Sequence, residues 1–194
     1  MGYSFGYNRA ERLDHYHSGK ELVLMLVDLV SRGGNLLLDI GPAADGTIPV
    51  IMEERLIEIG SWLKINGEAI YGSRPWKNTR QWSAGKVPKA DGQDSTAVYD
   101  VAKSTEKPAQ GQAAIEAFFT AKGDDIYVIL PRWPGERFTA RGIETAHLKS
   151  IRLLGSQSPL RYSAKARAVT VEMPNLPETL MAQPAWVLKF SARP

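Results

Sequence analysis

Cysteine is absent from the 194 residues of this chain. Its absence excludes disulfides, thiolate metal sites and a cysteine nucleophile, but it leaves the compartment open because many secreted proteins also lack disulfides. An excess of one charge is also lacking, since 24 Lys and Arg residues against 21 Asp and Glu residues leave a net charge of only +3. The basic residues are scattered along the chain, so we expect no nucleic-acid partner.

Long hydrophobic runs are missing as well. The longest, residues 22–30, is interrupted by Asp28 and falls short of the about 18 apolar residues that a membrane span needs. The first six residues show no basic region followed by an apolar one, as a secretory signal would. We therefore expect no membrane partner and no targeting segment. At about 150 residues per domain, the length indicates one domain and a fraction.

The clearest helix signal lies at residues 19–32. Apolar side chains recur there at helical spacing and cover most of the circumference, which predicts a mostly buried helix. Ser18 and Glu21 stand in capping-box positions before it. The glycine pair at 33–34 supplies the residues without a Cβ that commonly end a helix.

A strand and a second helix are predicted next. Residues 35–40 read Asn-Leu-Leu-Leu-Asp-Ile, a short apolar run without alternation that is typical of a parallel strand covered on both faces. A turn pair follows at Asp45–Gly46, and residues 48–64 recover helical spacing, with Pro49 near the start. The order of helix, strand and helix is a piece of a βα repeat.

The second half of the chain has a different pattern. Helical periodicity disappears after Trp76, and the chain is loop-rich up to residue 111. Short runs of β-branched and aromatic residues then alternate with turn residues, including a hairpin loop at residues 123–125. This pattern predicts an antiparallel sandwich or barrel of about 100 residues. The predicted strands are residues 114–120, 126–130, 137–140, 148–154, 169–173 and 186–190.

Polar candidates for chemistry concentrate near the N-terminus. Residues 2–11 combine aromatics, an amide, a guanidinium and the carboxylate of Glu11. Saccharide-binding pockets contain aromatic side chains, which pack on sugar rings, and polar groups, which hydrogen-bond to the hydroxyls. The other interpretation of Glu11 is a surface carboxylate paired with Arg9 or Arg12.

The remaining candidates are weaker. His15 and His17 lie two residues apart beside Asp14, but a metal site needs three or four convergent ligands, so we expect no metal. Asp39 and Asp45 flank the carboxyl end of the predicted strand, where α/β enzymes place their chemistry, although Asp45 is more simply a turn residue. The glycines around Asp45 lack the Gly-Lys-Ser/Thr of a phosphate loop, so no nucleotide cofactor is expected.

Five segments of the first 76 residues together carry a family resemblance. They are Ser4 to Glu11, Glu21 to Val23, Val30 to Pro42 with Asp45 to Pro49, Glu53 to Leu56, and Asn66 to Trp76. In this order they closely resemble the late catalytic-domain segment of glycoside hydrolase family 29 α-L-fucosidases. The rest of the chain resembles the C-terminal β-sandwich of that family in type and position.

The resemblance implies a retaining hydrolase that removes terminal α-L-fucose from fucosylated oligosaccharides or glycoconjugates, without a cofactor. One carboxylate attacks the anomeric carbon, and a second donates and then accepts a proton. Glu11 matches the acid/base position, and Phe5 and Tyr7 are expected to raise its pKa by an apolar setting. Leu36 matches a position that contacts the methyl group of fucose.

The implied fold is an α/β segment, the last βα units of a (β/α)8 barrel that is incomplete here, followed by an antiparallel β-sandwich. Residues 1–76 would be the barrel part and residues 77–194 the sandwich. The family's nucleophilic aspartate lies upstream of the matched region, so it is not expected in this chain. We expect exposed apolar faces at residues 22–30 and 36–40, and leave open a homo-oligomer or a complementing barrel chain.

A non-catalytic carbohydrate-binding or interaction module is the alternative. Trp82 or Trp133 on the sandwich would then stack on sugar. Trp133 lies in the loop sequence Pro-Arg-Trp-Pro-Gly, a setting that favours exposure, whereas sandwiches commonly bury a tryptophan. Glycan binding without hydrolysis would distinguish this module from the hydrolase.

Overall fold

The computed structural model describes residues 1–88, 101–106, 108–157 and 159–192. The helices are α1 (Gly19–Ser31), α2 (Val50–Asn66), α3 (Val101–Thr105) and α4 (Glu178–Met181), with 3-10 turns at Leu13–His15 and Gly67–Ala69. The strands are β1 (Arg74–Trp82), β2 (Ile115–Lys122), β3 (Asp125–Leu130), β4 (Arg137–Arg141), β5 (Ser150–Leu153), β6 (Tyr162–Lys165), β7 (Ala168–Glu172) and β8 (Trp186–Ser191). Among these described helices, none has the length and apolar character that crossing a membrane requires.

The strands form two antiparallel sheets, which confirms the predicted sandwich. The larger sheet has the order β1-β2-β3-β8-β5, and the smaller has the order β4-β7-β6. The predicted hairpin joins β2 to β3, with Lys122 opposite Asp125 and Gly123 at a φ of 58°, a conformation that suits glycine. Strands β1 and β6 were not predicted, because their sequences are largely polar and exposed.

The larger sheet is buried on both faces. Along β2, Phe119 packs into the core between the two sheets, whereas its neighbour Phe118 packs into a second core with α1 and α2. Strand β3 alternates in the same way, with Val128 in the first core and Ile129 in the second. The fold therefore has three layers, in the order helices, five-stranded sheet and three-stranded sheet.

Helix α1 begins as predicted. The Ser18 Oγ accepts a hydrogen bond from the Glu21 N–H at 3.2 Å, and the Ser18 N–H donates to the Glu21 carboxylate at 2.7 Å. Val23 and Val27 are fully buried against the larger sheet. The expected exposure of residues 22–30 is therefore wrong, because the sheet covers the face that a barrel was expected to cover.

The strand predicted at residues 35–40 is not formed in the structure. A strand needs a neighbour to pair with its backbone, and no other strand of the described chain pairs with these residues. The expected cover on both faces is also missing, since the Leu37 side chain is 94% exposed. Residues 35–40 therefore have the composition of a buried strand, but the described structure does not cover them on both faces.

Helix α2 follows with Pro49 at its N-cap and ends at Asn66, two residues beyond the prediction. Its Trp62 is 2% exposed and donates an indole N–H to the Ala185 carbonyl oxygen at 2.9 Å. This bond joins the helix to the segment that leads into β8. Strand β1 spans residue 76, the position at which the sequence predicts the domain boundary.

Ion pairs also join the helices to the larger sheet. Asp28 of α1 is fully buried and pairs with Arg80 of β1 and with Arg32. Glu68, in the 3-10 turn after α2, is exposed; it accepts a hydrogen bond from the Tyr127 hydroxyl at 2.7 Å and pairs with Lys189 of β8. The buried Asp28 therefore has two cationic partners, as burial of its charge requires.

We expect Trp62→Ala to lower the free energy of unfolding by about 3–5 kcal/mol, because it opens a cavity and orphans the Ala185 carbonyl. Urea unfolding of the 194-residue chain measures this. The matched control is Ile57→Ala on the same helix, whose side chain is 61% exposed and whose cost should stay within about 0.5 kcal/mol. Equal costs for the two variants would mean that α2 does not stabilise the sandwich.

Candidate functional site

The loop that carries Glu11 lies against the end of the apolar run. The N-terminal amine of Met1 donates a hydrogen bond to the Asp39 carbonyl oxygen at 3.1 Å. A Cβ placed on Gly41 would collide with the backbone nitrogen of Tyr7, so only glycine permits this approach. The structure therefore brings the Glu11 loop to the carboxyl end of residues 35–41.

The Glu11 carboxylate has one hydrogen bond of normal geometry among the described residues. Its Oε1 accepts a hydrogen bond from the Ser4 N–H at 2.7 Å. Its Oε2 is shut off from solvent and has no hydrogen bond of normal geometry among the described residues. A carboxylate oxygen that is both buried and unsatisfied is unusual in a folded protein and calls for a partner.

Hydrogen bonding sets the charge state of Glu11. The Ser4 N–H holds the pKa of Glu11 below its ordinary value, against the opposing effect of burial and with a smaller contribution from the Tyr16 hydroxyl. The pKa of Tyr16 is raised, mainly by burial and next by its hydrogen bond to the Glu11 carboxylate. Glu11 is therefore ionised at neutral pH in this chain.

The expected apolar setting of Glu11 is absent from the described structure. Phe5 is 91% exposed and Tyr7 is 44% exposed, so neither encloses the carboxylate, and the predicted rise of its pKa is wrong. A general acid needs a pKa near the working pH. Glu11 can therefore serve as an acid only if a further charge or an apolar wall is brought against it.

Leu36 lies at the other end of the same run. It is half-buried in a groove of about 460 Å³ between the end of α1 and the start of β1. Val30, Ile70 and Pro75 line the same groove. Glu11 is not among the described residues that line this groove, so the groove does not bring the two candidates together.

The other candidates have local partners. Asp45 accepts hydrogen bonds from the Thr47 N–H and hydroxyl at 3.0 and 2.7 Å, as a turn residue does, and these bonds lower its pKa. His15 stacks on Tyr3 with ring centroids 5.4 Å apart. In the described ranges, no group of three or more His, Asp or Glu side chains is placed to hold a metal ion.

Arg9 and Arg12 do not neutralise Glu11 as the alternative interpretation requires. Arg12 pairs instead with Asp14 at 3.0 Å. Sequence reasoning missed Ser4 and Tyr16, which hold the carboxylate. Spacing contains no signal for them, because their approach depends on how the irregular loop closes.

Two family models match separate ranges of this chain. A family model described as "Alpha-L-fucosidase" matches residues 1–68, and one described as "Alpha-L-fucosidase C-terminal domain" matches residues 112–191. Plasma alpha-L-fucosidase of Rattus norvegicus is 36% identical over 179 residues, which are 90% of this chain and 32% of the relative. Tissue alpha-L-fucosidase of Homo sapiens is 34% identical over 193 residues, 97% of this chain and 35% of the relative.

A solved structure is similar over nearly the whole chain. It is the Thermotoga maritima alpha-fucosidase in complex with fucose, with a TM-score of 0.69 and 31% identity over 97% of this chain and 38% of that one. The class that these matches define is that of the glycoside hydrolases. The chain belongs to the α-L-fucosidase family of that class, as a C-terminal portion. It spans about a third of the length of the curated relatives it matches.

We expect the Glu11 carboxyl to titrate below its ordinary pKa of 4.5 in the 194-residue chain, because the Ser4 N–H stabilises the ionised form. A depressed folded-state pKa adds stability that is present above the unfolded pKa and is lost as the pH falls through the folded one. Carbon-detected NMR titration of the glutamate carboxyls measures the pKa directly.

The stability of Glu11→Gln should accordingly depend less on pH in this acid range than that of the parent chain. Glu54→Gln is the control, because Glu54 is an exposed glutamate of α2. A Glu11 carboxyl that titrates above 4.5 would contradict the assigned hydrogen bonding.

Proposed function

We propose that this chain is the C-terminal portion of a working α-L-fucosidase, which removes terminal α-L-fucose from glycans by a retaining double displacement with Glu11 as acid/base. The observation that carries the proposal is the Oε2 atom of Glu11, which is buried and has no hydrogen bond of normal geometry among the described residues. Ser4 fixes the other oxygen, so one oxygen positions the group and the other is left for proton transfer.

The incomplete barrel is part of the same proposal. Residues 1–76 would be its last βα units and residues 77–194 the sandwich. The exposure of Leu37 supports this, because an apolar run with the composition of a doubly covered strand is left bare. A complete barrel takes about 250 residues, so the other strands would come from outside these 194 residues, in the same polypeptide or in a complementing chain.

Completion of the barrel also solves the problem of the Glu11 charge. In a retaining glycosidase the nucleophilic carboxylate lies about 5–5.5 Å from the acid/base. A negative charge at that distance disfavours ionisation of Glu11 and raises its pKa, which opposes the Ser4 hydrogen bond. The nucleophile would therefore also prepare Glu11 for its acid step.

The chemistry then runs in two steps. Protonated Glu11 gives its proton to the glycosidic oxygen as the nucleophile attacks the anomeric carbon and the aglycone leaves. The ionised Glu11 next takes a proton from water, which attacks the anomeric carbon and releases the nucleophile. Leu36 would contact the C6 methyl group of fucose and so select a deoxy sugar.

We expect Glu11→Gln to reduce fucoside hydrolysis by about 10²–10⁴-fold in a polypeptide that joins this chain to the missing strands. The loss in kcat/KM should shrink for aryl fucosides with acidic phenols, because such leaving groups need no proton. A series of aryl α-L-fucosides measures this dependence. A merely structural role for Glu11 would reduce all members of the series equally.

Two controls accompany this assay. Glu54→Gln should leave the rates unchanged, since Glu54 is an exposed glutamate of α2 with no hydrogen bond to Glu11 among the described residues. The 194-residue chain by itself should not turn over. Hydrolysis by that chain, abolished by Glu11→Gln, would overturn the proposal that strands from outside are required.

Leu36→Ala should lower the preference for an α-L-fucoside over the matching α-L-galactoside, which differs only by a hydroxyl at C6. One methyl contact is worth about 1–3 kcal/mol, or a 10–200-fold ratio of kcat/KM. Leu37→Ala is the control, because residues 36 and 37 would face opposite sides of the strand that a completed barrel would form; both variants are assayed in the polypeptide that carries the missing strands. An unchanged ratio in Leu36→Ala would remove Leu36 from the sugar site.

A further inference from the structure

A polar groove on the sandwich lies outside the Glu11 site. Its volume is about 360 Å³, within the about 300–1,000 Å³ of small-molecule sites. It lies where the β1–β2 edge of the larger sheet meets β4. The lining residues are Gln81, Glu116, Arg132, Trp133, Pro134, Arg137, Phe138, Thr139 and Arg141.

The floor of the groove is rigid. Gln81 is buried and donates its amide to Glu116 at 3.0 Å and to the Thr139 carbonyl oxygen at 2.9 Å. Its own oxygen accepts the Arg141 N–H at 2.8 Å, and the Arg141 guanidinium pairs with Glu116 at 2.9 Å. Glu116 is therefore already neutralised by Arg141.

Two further guanidinium groups share the groove without compensation. Arg132 and Arg137 are exposed, and no ion pair or hydrogen bond of their side chains is described in the resolved ranges. Glu172 lies opposite Arg137 in the β4–β7 register but forms no described ion pair with it. Guanidinium groups attract anions and can bind an oxyanion through paired N–H donors. Here two of them line one concave surface.

An aromatic surface lies beside these cations. Trp133 packs edge-to-face on Trp186, with ring centroids 5.5 Å apart and planes at 65°, and remains partly exposed in the groove. The Trp186 indole N–H is fixed by the Leu180 carbonyl oxygen at 2.8 Å. Trp133 is thus a preorganised platform for the C–H face of a pyranose.

We propose that this groove binds an anionic saccharide, a pyranose that carries a sulfate or carboxylate group. The sugar ring stacks on Trp133, and its anionic group pairs with Arg132 and Arg137. Both parts are required, because the arginines recognise the charge and the indole recognises the ring. The site lies on the sandwich alone and does not rest on the proposed hydrolysis.

Calorimetric titration of the 194-residue chain tests this with four probes: galactose 6-sulfate, glucuronic acid, galactose and inorganic sulfate. At least one of the two anionic sugars should bind at least about tenfold more tightly than galactose and than inorganic sulfate. Arg132→Gln and Arg137→Gln should each weaken that binding about tenfold, the equivalent of one charge-assisted hydrogen bond. The Trp133 indole N–H signal in NMR spectra should shift on titration.

Arg152→Gln is the charge-matched control, since Arg152 is exposed on β5 and does not line the groove; it should bind as the parent does. Trp133→Phe should retain part of the affinity that Trp133→Ala loses, with circular dichroism as the check on folding. No binding of either anionic sugar, or equal binding of inorganic sulfate, would overturn the proposal. So would binding that neither arginine variant weakens.

Discussion

Burial of the five-stranded sheet on both faces is the constraint on which the rest of the structure depends. Strands β2, β3 and β8 carry apolar side chains on successive positions, so each face needs its own cover. The three-stranded sheet covers one face, and α1 with α2 covers the other. Removing either layer would expose a continuous apolar surface, which soluble folds avoid. The helices are therefore part of the folding unit of the sandwich.

Charged groups fix how these layers fit together. Hydrophobic contact alone tolerates sliding, whereas the buried Asp28 must keep Arg80 and Arg32 within reach to offset its desolvation. A second pair, between Glu68 and Lys189, joins the 3-10 turn after α2 to β8. Because the two pairs join the helical layer to different strands, they restrict how far that layer can shift on the sheet. The position of the helical layer in turn determines where the segments before and after α1 lie.

Local signals and long-range contacts explain what the sequence predicts and what it does not. Helix α1 is readable because its capping box lies within four residues of chain, and β2 and β3 are readable because both of their faces are apolar. Strand β1 is polar and is defined by its pairing with β2, which no local pattern contains. The strand prediction for residues 35–40 fails for the opposite reason. Their composition is that of a strand, but the described chain contains no strand that pairs with them. The direction of the Glu11 pKa shift depends on the Ser4 N–H. This N–H lies close to Glu11 only because the loop folds back on itself, which no local pattern predicts.

The Glu11 site depends both on the local sequence and on long-range contacts. The Gly41 contact holds its loop against the end of residues 35–41, so whatever covers the end of that run must also approach this loop. In the chain by itself the loop stabilises the ionised form, which can accept a proton but is a poor donor at neutral pH. A completed barrel would add both the cover that the apolar run lacks and the second carboxylate that raises the pKa. Under the proposed function, burial of residues 35–40 and protonation of Glu11 would be coupled, and the acid step would become available only in the assembled catalytic domain.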